Sequence, residues 1–258
     1  MALVEVGLDR HVATVRLNRP EALNAISGQL ANELAGALLR AAADPESWVV
    51  VLAAAGEKAF CVGADLKERN QLDDPGWMQN RILMRSMFDT LRSLPQPVIA
   101  SVFGYALGGG FELALNCDLV VASHDAAFGL PEVTVGIVPG GGGTQLLARK
   151  AGLGRAKELV FTGRRLSGEE GFEMGLVTRL VEREALEAAT MELATEVCRA
   201  SPVAVREAKA AIDRGFGIAL ADGIELEDLA WRRNVASRDR REGVAAFNEK
   251  REPRWQGR

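Results

Sequence analysis

Histidine is nearly missing from this chain. Only His11 and His124 occur among 258 residues, so a Ser-His-Asp triad or a histidine-rich metal centre has almost nothing to draw on. His11 falls in a turn between two alternating segments, and His124 follows an apolar run beside Asp125; both are ordinary surface or turn positions. Cysteine is also scarce. Cys61, Cys117 and Cys198 are odd in number and form no CxxC pair, which indicates neither a disulfide framework nor a zinc site and points to a reducing compartment. There is no excess of positive charge: 31 Lys and Arg stand against 35 Asp and Glu, for a net charge of −4, and this disfavours a nucleic-acid or anionic-membrane partner. No apolar run reaches the roughly 18 residues of a membrane span. The opening MALVEVGLDRH lacks the basic-then-apolar layout of a secretory leader. A cytoplasmic protein without nucleic-acid or membrane partners is expected.

Several motifs are absent as well. No Gly-Lys pair occurs, so there is no P-loop. Gly108 and Gly110 are followed by Leu113 where the dinucleotide pattern GxGxxG needs a third glycine. No serine has the flanking glycines of a GxSxG elbow.

Glycine, carboxylate and a regular alternation of elements are present. LVEVGLDRHVATVRL (3–17) reads as a β-hairpin turning near Asp9-Arg10. Ser27 is placed to cap a helix with Leu30, Leu34, Ala37, Leu38 and Ala41 on one face. WVVVLAAA (48–55) and VIASV (98–102) are continuous apolar runs, as expected of strands buried on both faces. GEKAFCVGADLKER reads as a loop leading into a charged helix, 70–76 as a loop, and 77–94 as a helix. DLVVAS (118–123) and LVTRLV (176–181) read as further strands. From about 184 onward the pattern is helical, with breaks near Ser201-Pro202, Gly215–Gly217 and Ser237. Alternation followed by helices alone predicts an α/β core, 1–195, with a helical C-terminal region, 196–258.

The segment VFGYALGGGFELALNCDLVVAS (102–123) carries the chemistry. Three consecutive glycines, Gly108–Gly110, stand where glycine costs stability and so need a reason. A backbone stripped of Cβ atoms can approach a ligand closely, and a helix starting there directs N–H groups and a positive dipole end at it. Such donors suit an oxygen that gains negative charge, as a thioester carbonyl does when bonds change at the neighbouring carbons; losing one donor costs about 2.7–4 kcal/mol. Proton transfer would fall to carboxylates, and Glu112 directly follows the triplet while Glu132 lies in AFGLPEVTVG. Two readings stand on spacing alone: a catalytic pair, or a helix former and a loop acid.

The same segment resembles the signature of the enoyl-CoA hydratase/isomerase (crotonase) family. NRPEALNA (18–25), KAFCVGADLKE (58–68), AFGLPEVTVGIVPGGGGTQ (127–145) and AKELVFTGRRLSGEE (156–170) resemble the family in order, so the likeness covers nearly the whole chain. It implies a crotonase-like spiral of ββα units with a helical C-terminal trimerisation region, and hydration of a 2-enoyl-CoA thioester. Isomerisation of the double bond, or a non-catalytic acyl-CoA or RNA binder, are the alternatives. The resemblance implies oxyanion donors at Val62 and Gly109, a water-activating base at Glu112 and a Cα proton donor at Glu132. It implies CoA contacts at Arg19, Glu21, Ala22 and Leu23, a thioester grip at Val62, Gly63, Ala64 and Asp65, and tail contacts from Phe247 and Lys250. Asp65 as a plain helix cap, and Phe247 and Lys250 as part of a surface helix, are the structural alternatives. No metal and no cofactor beyond the substrate's coenzyme A are implied; a homotrimer or dimer of trimers is. CVGADLKER, PGGGGTQ and FNEKREPRW resemble methylglutaconyl-CoA hydratases, some of which bind RNA through a lysine-rich early helix. Here that helix has Arg40 as its only basic residue, so RNA binding is not carried over. Leu130 and Leu146 stand where many members have glutamine and arginine, which bears on the acyl group.

Overall fold

Arg10 and His11 both adopt positive φ, 45° and 70°, and this two-residue turn joins β1 (Val4–Asp9) to β2 (Val12–Leu17) as the expected antiparallel hairpin. The structure, a computed structural model, describes residues 2–258; Met1 of the expected core lies outside them. Ser27 accepts a hydrogen bond from the Leu30 amide at 3.1 Å and opens α1 (Gly28–Ala43). Leu30, Leu34, Ala37 and Leu38 of that helix are fully buried, each leucine worth about 1.5–3 kcal/mol of burial. The apolar run at 48–55 is β3 (Val49–Ala54), every residue buried.

Here the chain begins the ββα winding that the resemblance implied. β4 (Ala59–Cys61) belongs to a second sheet. It is followed by α2 (Leu66–Arg69) and α3 (Asp74–Arg92), after which β5 (Val98–Val102) returns to the first sheet. β6 (Tyr105–Leu107) enters the second sheet and leads into α4 (Gly109–Asn116). β7 (Leu119–Ser123) and β8 (Ala127–Gly129) repeat the step, followed by α5 (Gly143–Ala151) and α6 (Leu153–Thr162). Each turn is thus a strand in one sheet, a strand in the other and one or two helices: the ββα spiral. β9 (Arg165–Ser167), α7 (Gly168–Glu173) and β10 (Arg179–Val181) close it. The sheets run β1-β2-β3-β5-β7-β10 and β4-β6-β8-β9. Apart from the β1–β2 and β8–β9 pairs, every pairing is parallel.

The segments around residues 59–61, 105–107, 127–129 and 165–167 are strands of only three residues, too short for periodicity to reveal. β4 lies inside the stretch expected to be loop. α3 starts at Asp74 rather than 77 because Asp73 caps it, accepting from the Gly76 amide at 2.9 Å, and Pro75 sits in the first turn, where its missing N–H costs nothing. The 176–181 run forms strand only over its second half.

α8 (Leu186–Cys198) packs on strands of the large sheet and spans the expected boundary at 195. α9 (Pro202–Gly215), α10 (Leu220–Val235) and α11 (Arg238–Glu249) follow. Among the described residues no helix is long and apolar enough to cross a membrane.

Candidate active site

The glycine triplet sits where β6 hands over to α4. Gly108 takes φ 52°, ψ −125°, a backbone conformation that L side chains rarely adopt. Gly110 packs so tightly on β4 that a Cβ there would collide with the Cys61 carbonyl oxygen. The Gly108 N–H is held by the Gly129 carbonyl at 2.8 Å. Gly109, as the first helical residue, has no intrahelical acceptor for its own N–H.

A second turn approaches it from the end of β4. Gly63 and Gly109 are so close that a Cβ on Gly63 would stand 3.0 Å from the Gly109 nitrogen. The Val62 N–H, expected to face an oxyanion, is instead donated to the Leu23 carbonyl at 3.2 Å. The Ile26 N–H donates to the Gly63 carbonyl at 2.7 Å, and the Asp65 N–H to the Ile26 carbonyl at 3.0 Å. Between these bonds the Ala64 N–H has no acceptor among the described residues, and the Ala64 nitrogen lies 3.7 Å from the Cβ position of Gly109. The two free, adjacent amides are therefore those of Ala64 and Gly109, the first lying two residues along from the expected Val62. The parallel bridge between Ile26 and Ala64 engages the amides on either side and leaves this one.

Glu112, one turn into α4, is only 3% exposed. Its Oε1 accepts from the Gly141 N–H at 2.6 Å and the Gly143 N–H at 2.8 Å, so the second glycine-rich turn is an amide cradle for a carboxylate. Asn116, a turn further on, fixes that cradle. Its Nδ2 donates to the Glu112 carbonyl at 2.7 Å and the Gly141 carbonyl at 2.8 Å, and its Oδ1 accepts from Arg92 at 2.9 Å. Burial raises the Glu112 carboxyl above the ordinary carboxylate range, while the Gly143 and Gly141 amides and the charges of Arg81 and Arg69 pull it back.

Glu132 lies in a 3₁₀ turn, Pro131–Val135. Its Oε1 stands 3.1 Å from the Cβ position of Gly108, and its buried Oε2 has no hydrogen-bond partner among the described residues. Burial, reinforced by the Glu112 charge and opposed by its own backbone N–H, pushes its carboxyl up to about 7.

Val62, Gly63, Ala64, Gly109, Glu112 and Glu132 line one cavity of about 410 Å³. Of the other expected contacts, Arg19, Glu21, Ala22, Leu23, Asp65, Phe247 and Lys250 do not line it. Arg19 ties loops together, donating to Asp65 at 2.7 Å and the Ala25 carbonyl at 3.0 Å. Asp65 caps α2 through the Lys67 and Glu68 amides. Leu23 serves through its carbonyl. Phe247 is 84% exposed and Lys250 ends α11 in a left-handed turn. Among the described residues no cluster of three or more His, Cys, Asp or Glu could hold a metal. Sequence reasoning missed Asn116, the donor role of the 140–143 turn, and two arginines, Arg69 and Arg81, in the cavity wall. A second glycine cluster so near a helix start was the one signal that pointed to the cradle.

The model of a family described as enoyl-CoA hydratase/isomerase matches residues 8–258. The chain belongs to the enoyl-CoA hydratase/isomerase family. Among relatives, it is 40% identical to the short-chain-enoyl-CoA hydratase of Clostridium acetobutylicum, over 93% of this chain and 92% of that one. It is 38% identical to the mitochondrial methylglutaconyl-CoA hydratase of Mus musculus, over 96% and 81%. A crystal structure of an enoyl-CoA hydratase from Bacillus anthracis superposes with TM-score 0.96 at 42% identity, covering 99% of this chain and 100% of that one. The crotonase fold is thereby shown, and the methylglutaconyl-CoA hydratases are among its relatives. The two named hydratases of this family differ in acyl group at nearly equal identity, so identity does not choose the acyl group.

Proposed function

We propose that this protein is a hydro-lyase that adds water across the 2,3 double bond of a 2-enoyl-CoA thioester. The observation that carries the reading is the pairing, in one cavity, of two free amides with two buried carboxyl groups. The Ala64 and Gly109 N–H groups would receive the thioester oxygen as it becomes enolate-like. Glu112, whose carboxyl is raised by burial but whose Oε1 is fixed by two amides, suits a base that activates water at C3. Glu132, with an orphaned oxygen and a carboxyl titrating near neutrality, suits the donor of the Cα proton. The two carboxyls feel each other's charge and would titrate as a pair. No cofactor enters the scheme beyond the coenzyme A of the substrate.

Hydration of a conjugated thioester removes its near-ultraviolet absorbance, whereas isomerisation of a 3-enoyl ester creates it. Steady-state assays with both esters separate the two family activities. Loss of the 2-enoyl absorbance with water incorporation is the expected result; gain of conjugation from the 3-enoyl ester alone would replace the reading with an isomerase. We further propose a homo-oligomer, a trimer or dimer of trimers. Its support is the series of exposed apolar side chains on and between α9 and α10, including Ile212, Phe216, Leu220, Ile224 and Trp231. In such an assembly Phe247 and Lys250, which do not line this chain's own cavity, would reach a neighbour's site. Light scattering on the purified chain reads the mass directly, and a monomer would overturn the assembly.

A further inference from the structure

Two arginines line the cavity with the glutamates, and they are seated differently. Arg81 lies on α3. The other arginines of that helix, Arg85 and Arg92, both pair with Asp89; among the described residues Arg81 has no carboxylate within 4.0 Å and no hydrogen-bond acceptor. Its guanidinium rests on the 140–143 turn, where a Cβ on Gly140 would stand 3.4 Å from Nη1 and 3.5 Å from Cζ. At the next residue of that turn, a Cβ on Gly141 would come 2.7 Å from Oε2 of Glu112, the carboxylate oxygen that the Gly141 and Gly143 amides leave unengaged. Arg81 and the free oxygen of Glu112 thus sit over consecutive glycines of one turn. Glu132 lies elsewhere, with its Oε1 against Gly108.

Arg69 is held by α2 and α3 instead. Its Nε donates to Oδ1 of Asn80 at 3.1 Å, and its Cζ lies 5.2 Å from the centre of the Trp77 ring. Its neighbour Glu68 accepts from the Gly28 N–H at 3.1 and 2.9 Å. Burial and then the charge of Arg81 lower Arg69 from its ordinary range, and Glu68, Glu112 and Glu132 oppose this in that order. The charged groups around Glu112 are therefore Arg69 and Glu68 from α2, Arg81 from α3, and Glu132 from its 3₁₀ turn. Arg92 reaches Glu112 only through Asn116, and Lys150 of α5 donates to the Cys117 carbonyl. Burial pushes the thiols of Cys61 and Cys117 up to about 12, so both are neutral.

Two carboxyls in one partly buried cavity resist ionising together. Something must decide which gives up its proton first. Burial raises Glu112; the Gly143 and Gly141 amides oppose it, then Arg81, then Arg69. Burial also raises Glu132, and there Arg69 is the only one of the two guanidinium groups that opposes it. Arg69 therefore serves both acids, whereas Arg81 stands by one.

We propose that Arg81 is a positioning residue acting through Glu112: seated on Gly140, its permanent positive charge selects Glu112, and not Glu132, as the carboxyl that is ionised when substrate enters. The inference rests on the enoyl-CoA reading above and deepens it by naming what separates the two acids. Asn116 already holds the turn, so Arg81 contributes charge rather than shape.

The test reads each carboxyl by itself. In full-length protein with glutamate labelled with carbon-13 at Cδ, the Glu112 curve is followed in a Glu132→Gln background and the Glu132 curve in a Glu112→Gln background, which removes the coupling between them. Adding Arg81→Gln should move the Glu112 curve to higher pH and leave the Glu132 curve in place. Arg69→Gln should move both, and Arg81→Lys should restore Glu112. High salt should shrink the Arg81 effect, because that side chain is exposed. With both glutamates present, Arg81→Gln should lower kcat/KM for crotonyl-CoA about threefold near pH 5.5 and little near pH 7. A Glu112 curve that stays in place, or two curves that move alike, would overturn the proposal. So would an equal loss of kcat/KM at both pH values, the mark of a merely structural role. A shift confined to Glu112 in a protein that hydrates no 2-enoyl ester would uphold the role of Arg81 and defeat the hydratase reading instead.

Discussion

The two carboxylates of the cavity are supported in opposite ways. Glu112 projects from a helix whose neighbour, Asn116, pins the 140–143 turn so that two amides meet one of its oxygens. Glu132 hangs from a 3₁₀ turn with one buried oxygen unpartnered. The same residue type is thus braced by backbone amides in one place and left with an unpartnered oxygen in the other. The difference comes from the backbone amides that meet one carboxylate and not the other.

The largest disruption of this contrast should come from Gly110→Ala. The added methyl meets the Cys61 carbonyl oxygen, and α4 cannot seat; we expect loss of cooperative unfolding by circular dichroism and recovery mostly as aggregate. Gly109→Ala, whose methyl would meet Ile26 Cδ1 at 3.3 Å, Gly63 Cα at 3.5 Å and the Ala64 nitrogen at 3.7 Å, should remain folded and marks the folding control. Next in size are the glutamates themselves. Glu132→Gln or Glu112→Gln should each lower hydration at least about a hundredfold, with binding of a saturated CoA ester largely retained; near-normal turnover in either variant would defeat the pairing. Asn116→Ala unpins the cradle without touching the cavity. It should lower kcat about tenfold with little change in KM and cost about 1–3 kcal/mol in a denaturant melt.

The finest test is pH. If Glu132 donates as an acid, kcat/KM should fall as pH rises through about 7. The same group links to stability. Its folded value lies above the ordinary 4.5, so the folded state binds more protons, and Glu132 makes the protein progressively less stable between pH 4.5 and 7 and beyond. Glu132→Gln should therefore melt higher than wild type at pH 8 and close to it at pH 4.5. Equal shifts at both values would mean that the residue is not titrating as its burial implies.

The sequence made the large sheet legible because its strands are five or six apolar residues long, as at 49–54 and 98–102, and β1 with its turn follows simple hairpin rules. The second sheet escaped because three-residue strands such as Ala59–Cys61 carry no periodic signal and exist only through pairing with distant partners. Glu112 and Glu132 could be singled out as acids flanking glycine turns, but their meeting in one cavity depends on successive turns of the spiral. Of the two expected oxyanion donors, Gly109 has a free N–H, whereas the other free amide is that of Ala64, two residues beyond Val62. Whether Val62 or Ala64 keeps a free N–H is decided by the Leu23 carbonyl and the Ile26 bridge, some forty residues away in sequence, and no local pattern encodes that. Arg69 was legible only as part of a charged helical segment, and nothing local marked it or Arg81 as lining the cavity.

The amide pair and the cradle rest on strands and glycine turns knit into both sheets, whereas another part of the cavity wall is a short helix, α2, and residues of the longer α3. Side chains on that corner, the two arginines apart, can be exchanged without moving any backbone that the chemistry needs. A scaffold divided in this way permits new acyl preferences to arise by drift at a few helical positions while the reaction itself stays intact.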